Sequence, residues 1–97
     1  GSDAVVALPG GCGTLEELFE AITLKRLGLY FNPILLLNTR GFYAPLQGFM
    51  DSVIEERFMN PEHAAMWSLV DRVEEVLPAI RATPKWREDA REYAVVR

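Results

Sequence analysis

The sequence predicts an α/β domain built on a parallel sheet, in the form of the C-terminal half of a doubly wound domain. Short apolar runs at residues 4–8, 34–37 and 67–70 alternate with stretches of helical periodicity, the strand–helix–strand pattern of parallel sheets. The run Ile34-Leu35-Leu36-Leu37 is continuously apolar, as a strand covered on both faces must be. A glycine-rich turn, Pro9-Gly10-Gly11-Cys12-Gly13, leaves the first run and leads into the first helical pattern. Three strands make a narrow sheet for this class, and the first starts almost at residue 1. The remaining strands are therefore expected from chain upstream of Gly1.

The elements follow in order. Residues 4–8 read as a buried strand. Residues 15–28 read as a helix whose core face holds Leu15, Leu18, Phe19 and Ile22. Its opposite side carries Glu17, Glu20, Ala21, Leu24 and Leu27, so it is partly apolar there too. Such a helix packs on its own sheet and also against a second surface, either another copy of the chain or the other half of the domain. After the second strand, Gly41-Phe42-Tyr43 makes a loop and Pro45 suits the first position of a helix running to about Phe58. Leu46, Phe49, Met50, Val53, Ile54 and Phe58 form its expected buried side. Asn60-Pro61-Glu62 opens a short helical turn, and residues 67–70 read as the third strand. Asp71 is expected to cap a last helix through Val73, Val76, Leu77 and Ile80, with Pro78 kinking or displacing part of it. Residues 1–83 thus form the domain, and residues 84–97 a charged surface tail with Trp86 and Tyr93 as anchors.

Composition narrows the function. The chain has 97 residues, 49% of them hydrophobic, which suits one small globular domain and not a disordered segment. A net charge of −4 with interspersed signs gives no electrostatic reason to expect nucleic acid or an anionic membrane as partner. No apolar run approaches the roughly 20 residues needed to cross a bilayer. A single cysteine, Cys12, and no evident leader fit a cytoplasmic protein.

The turn at residues 9–13 carries the chemistry. Glycines let backbone approach an anion, and the free N–H groups of a helix's first turn point at it. The turn has neither the Gly-Lys-Ser/Thr of a P-loop nor dinucleotide-type spacing. It adds a carboxylate, Glu17, three residues after Thr14. Thr14-Leu15-Glu16-Glu17 also matches a capping box, with Thr14 as cap and Glu17 reaching back to it. The two roles compete for one carboxylate, and the three glycines in front favour the catalytic one. Cys12 lies near a helix N-terminus but has no positioned base, so it is not expected to be a nucleophile. His63, Arg40 and Arg57 read as packing or surface residues, and Phe42 and Tyr43 as core residues that could border a base pocket.

The segment Leu8-Pro9-Gly10-Gly11-Cys12-Gly13-Thr14-Leu15-Glu16-Glu17 resembles the Pro-Gly-Gly-x-Gly-Thr-x-x-Glu signature of the LOG ("lonely guy") family. These are cytokinin riboside 5′-monophosphate phosphoribohydrolases, long labelled lysine decarboxylases. Leu27-Gly28, residues 33–38, Gly41-Phe42-Tyr43, Glu55-Glu56-Arg57-Phe58 and Pro61-Glu62-His63 follow in the family's order and spacing. The resemblance implies a Rossmann-like sheet in a homodimer or a higher oligomer of dimers. It implies cleavage of the N-glycosidic bond of a nucleoside 5′-monophosphate, a cytokinin nucleotide or AMP, to free base and ribose 5-phosphate. By motif position Gly10, Gly11, Gly13 and Thr14 would hold the 5′-phosphate, with Cys12 and Leu15 in the same segment. Glu17 would be the catalytic carboxylate, and Glu16 and Thr23 would lie along the nucleotide. The family's Met-His-x-Arg-Lys segment, whose Arg is catalytic, does not occur in these residues, so the 97 residues alone are expected to be inactive. No cofactor and no metal are expected.

Two other classes compete. Related Rossmann-like proteins bind nucleotides or molybdenum cofactor without hydrolysis. A lysine decarboxylase needs a Schiff-base lysine, and the chain offers only Lys25 on a helix flank and Lys85 in the tail.

Overall fold

The computed structural model describes residues 4–86. Three parallel strands, β1 (Val5–Ala7), β2 (Ile34–Leu37) and β3 (Ser68–Val70), form one sheet in the order β1-β2-β3. The register pairs Val5 with Ile34 and Ala7 with Leu36, then Leu35 with Ser68 and Leu37 with Val70. Helices α1 (Cys12–Arg26), α2 (Ala44–Glu55) and α3 (Val76–Ala82) flank the sheet. All four residues of β2 are buried, which is why its sequence shows no alternation. This is the expected α/β arrangement, and it is consistent with a Rossmann-like sheet.

The core gathers Leu18, Ile22, Ile34, Leu36, Tyr43, Met50, Met66, Trp67 and Trp86. Trp86 therefore acts as the anchor expected of it: its backbone N–H donates to the Phe31 carbonyl at 2.8 Å and its ring is buried. Tyr93 lies outside the described residues.

Several boundaries differ from the sequence expectation. Helix α1 begins at Cys12, not Leu15, so Gly13 and Thr14 belong to its first turn. Gly11 is the N-cap, and the Leu15 N–H already donates to the Gly11 carbonyl at 3.0 Å. The capping box that competes for Glu17 in the sequence therefore does not form, because Thr14 sits inside the helix, not at its edge. At the other end α1 stops at Arg26, and Gly28 takes the left-handed φ of 76° that releases the chain.

The core face of α1 is also rotated, by roughly 60° at 100° per residue. Leu18, Ala21, Ile22 and Lys25 are buried, whereas Phe19 is 38% exposed. Lys25 takes the place expected of an apolar residue because it has partners there. Its amine donates to the Asn32 carbonyl at 2.9 Å and lies 5.7 Å from the centre of the Trp86 ring.

Helix α2 ends at Glu55, short of Phe58, because Arg57 adopts a positive φ of 66°. Met50 is buried, and Leu46 and Ile54 pack on the core as expected, but Phe49 and Phe58 are exposed. The last helix is not capped by Asp71. A 3-10 turn at Val73–Glu75 comes first, with the Arg72 N–H donating to the Glu75 carboxylate at 2.9 Å. Pro78 then falls in the first turn of α3, where its missing N–H costs nothing.

Candidate functional site

The C-terminal ends of parallel strands are where α/β sheets bind ligands, and the glycine turn lies at that end of β1. Residues 8–11 lead from β1 into α1 with no side chain capping the helix. The first-turn amides of Cys12, Gly13 and Thr14 precede the first intrahelical donor, Leu15, so their N–H groups have no place in the helical ladder. No acidic residue occupies that turn, so the positive end of the helix dipole is left uncompensated.

The three glycines do different work. A Cβ at Gly10 would collide with Thr14 Oγ1, so Gly10 is what allows the threonine to fold back over the turn. A Cβ at Gly11 or Gly13 would meet nothing within 4 Å. These two positions face open space, room that an anion can use.

Glu17 is exposed on the flank of α1, six residues beyond the N-cap, or about 9 Å along the axis at 1.5 Å per residue. It lines a cleft of about 290 Å³ together with Val5, Glu20, Ala21, Leu24 and Tyr30. The cleft runs beside β1, whose outer edge is unpaired among the described residues. The second side of α1 read from the sequence thus forms a wall of this cleft. Glu16 and Thr23 are exposed on a neighbouring stripe of the helix and do not line it. The structure brings Glu17 together with Glu20 and Tyr30, and brings Thr14 onto Gly10. Thr23 stands apart from both groups.

A chain of hydrogen bonds crosses the same end of the sheet. The Asn38 N–H donates to the Val70 carbonyl at 2.7 Å, and Asn38 Oδ1 accepts from the Tyr43 N–H at 2.8 Å. The Tyr43 hydroxyl donates to the Leu8 carbonyl at 2.6 Å. The exits of all three strands are thereby tied together. Burial raises the Tyr43 phenol above its ordinary value of 10.0, so it stays protonated and able to donate near neutral pH. From the sequence Tyr43 is a core residue that could border a base pocket. Its position just after the second strand is the signal in the sequence, which does not contain the 35-residue reach to Leu8.

Among the described residues no group of three or more His, Cys, Asp or Glu could hold a metal ion, and no helix is long and apolar enough to cross a membrane. Cys12 is a free, exposed thiol.

A family model described as "Possible lysine decarboxylase" matches residues 1–80. The chain is 44% identical over 84 residues to "Probable cytokinin riboside 5'-monophosphate phosphoribohydrolase LOGL3" of Oryza sativa subsp. japonica, a match covering 79% of this chain and 40% of that protein. It is 39% identical over 102 residues to LOGL2 of the same organism, which carries the same description, covering 95% of this chain and 42% of that protein. It is 53% identical over 60 residues to "Cytokinin riboside 5'-monophosphate phosphoribohydrolase LOG1" of Arabidopsis thaliana, covering 62% of this chain and 28% of that protein. The chain thus spans less than half the length of these relatives.

Proposed function

Starting from the fact that this chain belongs to the LOG family, we propose that it supplies the phosphate-binding and catalytic segment of a nucleoside 5′-monophosphate phosphoribohydrolase. The observation that carries the proposal is the uncapped start of α1, which opens the same helix that places Glu17 in a cleft. The amides of the first turn hold the 5′-phosphate, with Gly11 and Gly13 leaving space for it and Thr14 beside it. Phosphate fixed there sets the ribose along the first two turns of α1, within reach of the Glu17 side chain.

Breaking the C1′–N bond develops positive charge on the ribose ring, as in glycoside hydrolysis. The Glu17 carboxylate stabilises that charge and takes a proton from the attacking water. The water oxygen bonds to C1′, and the base leaves with the electron pair of the broken bond. With the capping box unformed, no cap holds the Glu17 carboxylate. An arginine from outside these residues, as the family resemblance implies, assists the leaving base, so the 97 residues alone should not turn over substrate.

The second side of α1, where Leu24 is exposed beside Glu17 and Glu20, is proposed to meet a second copy of the chain in a homodimer whose interface borders the cleft. Neither lysine of these residues supports a decarboxylase reading. Lys25 is 1% exposed and engaged with Asn32 and Trp86, and Lys85 lies on the surface.

The test is direct. The full-length protein is incubated with AMP and with a cytokinin riboside 5′-monophosphate, and free base and ribose 5-phosphate are measured. Release of both products is expected. Tight nucleotide binding with no release from either substrate would instead favour a non-catalytic binding protein.

A further inference from the structure

We propose that Tyr43 is a positioning residue for the glycine turn, its hydroxyl holding the Leu8 carbonyl so that the first-turn amides of α1 keep the spacing that a 5′-phosphate requires. The inference rests on the phosphate-site reading above and deepens it.

The β1–β2 ladder runs out at the pair Ala7–Leu36, so Leu8 lies beyond the paired register. The next residue, Pro9, has no N–H to donate. Past this point the sheet ladder no longer fixes the turn, which is held from α1 by Thr14 over Gly10 and from the loop after β2 by Tyr43. Tyr43 reaches it from 35 residues away, with a short 2.6 Å bond from a ring that is 1% exposed.

That ring is held from several directions. Asn38 Oδ1 holds the Tyr43 backbone N–H at 2.8 Å, and Asn38 is itself tied to Val70. Phe42 packs edge-on against the ring, with centroids 5.0 Å apart and planes at 87°. The turn that aims Tyr43 places two residues in succession at positive φ, Arg40 at 54° and Gly41 at 72°. A left-handed arginine is uncommon and strained, and such strain persists where the surrounding structure over-determines it. Here it bends the chain sharply enough to bring Tyr43 back under the exit of β1. The Gly41 and Phe42 amides close this bend onto the Asn38 and Thr39 carbonyls.

A tyrosine that merely filled the core would need no hydroxyl at this place, and phenylalanine would serve. The Tyr43→Phe variant of the full-length protein separates the two roles. With a nucleoside 5′-monophosphate, kcat/KM is expected to fall about tenfold, through KM and not kcat, the scale of one lost hydrogen bond. With the same nucleoside lacking phosphate, kcat/KM should be unchanged. Hydrogen exchange of the Leu15 amide, which is bonded to the Gly11 carbonyl, should quicken about tenfold while the β2 amides keep wild-type rates. Asn38→Ala should act in the same direction. Unchanged exchange at Leu15, or an equal loss on both substrates, would overturn the positioning role. A wild-type protein that hydrolyses neither compound would overturn the proposed function instead, and the exchange at Leu15 would still decide the case of Tyr43.

Discussion

Thr14 folds back over Gly10 so closely that no side chain fits between them. The contact joins the glycine turn to the first turn of α1 and makes the three motif glycines unequal. Gly10→Ala forces Thr14 or the backbone to shift, an overpacking cost of about 1–3 kcal/mol. Gly13→Ala meets open space inside a helix, where alanine is the better former by up to about 1 kcal/mol. Denaturant titration should therefore show loss of stability in the first variant and none in the second. Nucleotide affinity should fall in both, since the added methyl at Gly13 takes the space proposed for phosphate.

Glu17→Gln keeps the shape of the side chain and removes its charge and its basicity. The expected result is nucleotide binding close to wild type with kcat reduced about 10²- to 10³-fold. Single-turnover kinetics with a separate binding titration measure the two quantities. Undiminished turnover would exclude Glu17 from the chemistry.

Trp86 lies in a segment that reads as polar tail, yet it is part of the core and faces the Lys25 amine. Trp86→Ala should destabilise the fold by about 3–5 kcal/mol, in the range of other large-to-small core changes. Trp86→Phe should recover most of that loss. Urea midpoints of the three proteins provide the comparison.

His63 is fully buried, and its Nδ1 accepts from the Asn60 N–H at 3.1 Å. Burial and the nearby Arg26 charge lower its pKa below the ordinary 6.5, partly opposed by Glu62. The folded state therefore resists a proton that the unfolded chain accepts below about pH 6.5. Its contribution to stability is complete above that pH and is lost as pH falls toward the lowered folded value. Protonation at Nδ1 would also remove the acceptor for Asn60. Stability measured at pH 7.5 and pH 5 should fall less in His63→Phe than in wild type.

Exchange of Arg40 for glycine tests the bend beneath Tyr43. With φ at 54°, a glycine relieves strain that arginine carries, and the full-length protein should gain up to about 1 kcal/mol in a thermal or denaturant melt.

Much of this protein is written in local pattern. The unbroken apolar run at Ile34–Leu37 already specifies a strand covered on both faces, because only burial on both sides makes alternation unnecessary. The glycines ahead of Glu17 already single out a turn whose backbone can approach a charge closely, the basis of the phosphate site proposed above. Pattern alone could not place Lys25 in the core, since a lysine there depends on a carbonyl at Asn32 and a ring at Trp86 that lie elsewhere in the chain. Nor could it decide between capping and catalysis for Glu17. Only the structure shows that α1 starts three residues before Leu15, so that Gly11 and not Thr14 is the cap and the Thr14–Glu17 capping box does not form. The Tyr43 hydroxyl found Leu8 only because β1 and β2 pair in one register and a strained bend turns the chain back. Local sequence sets which elements form and what chemistry they carry, since those depend on near neighbours along the chain. Which side chains meet at the strand ends is decided by packing between distant segments, and only the tertiary structure contains it.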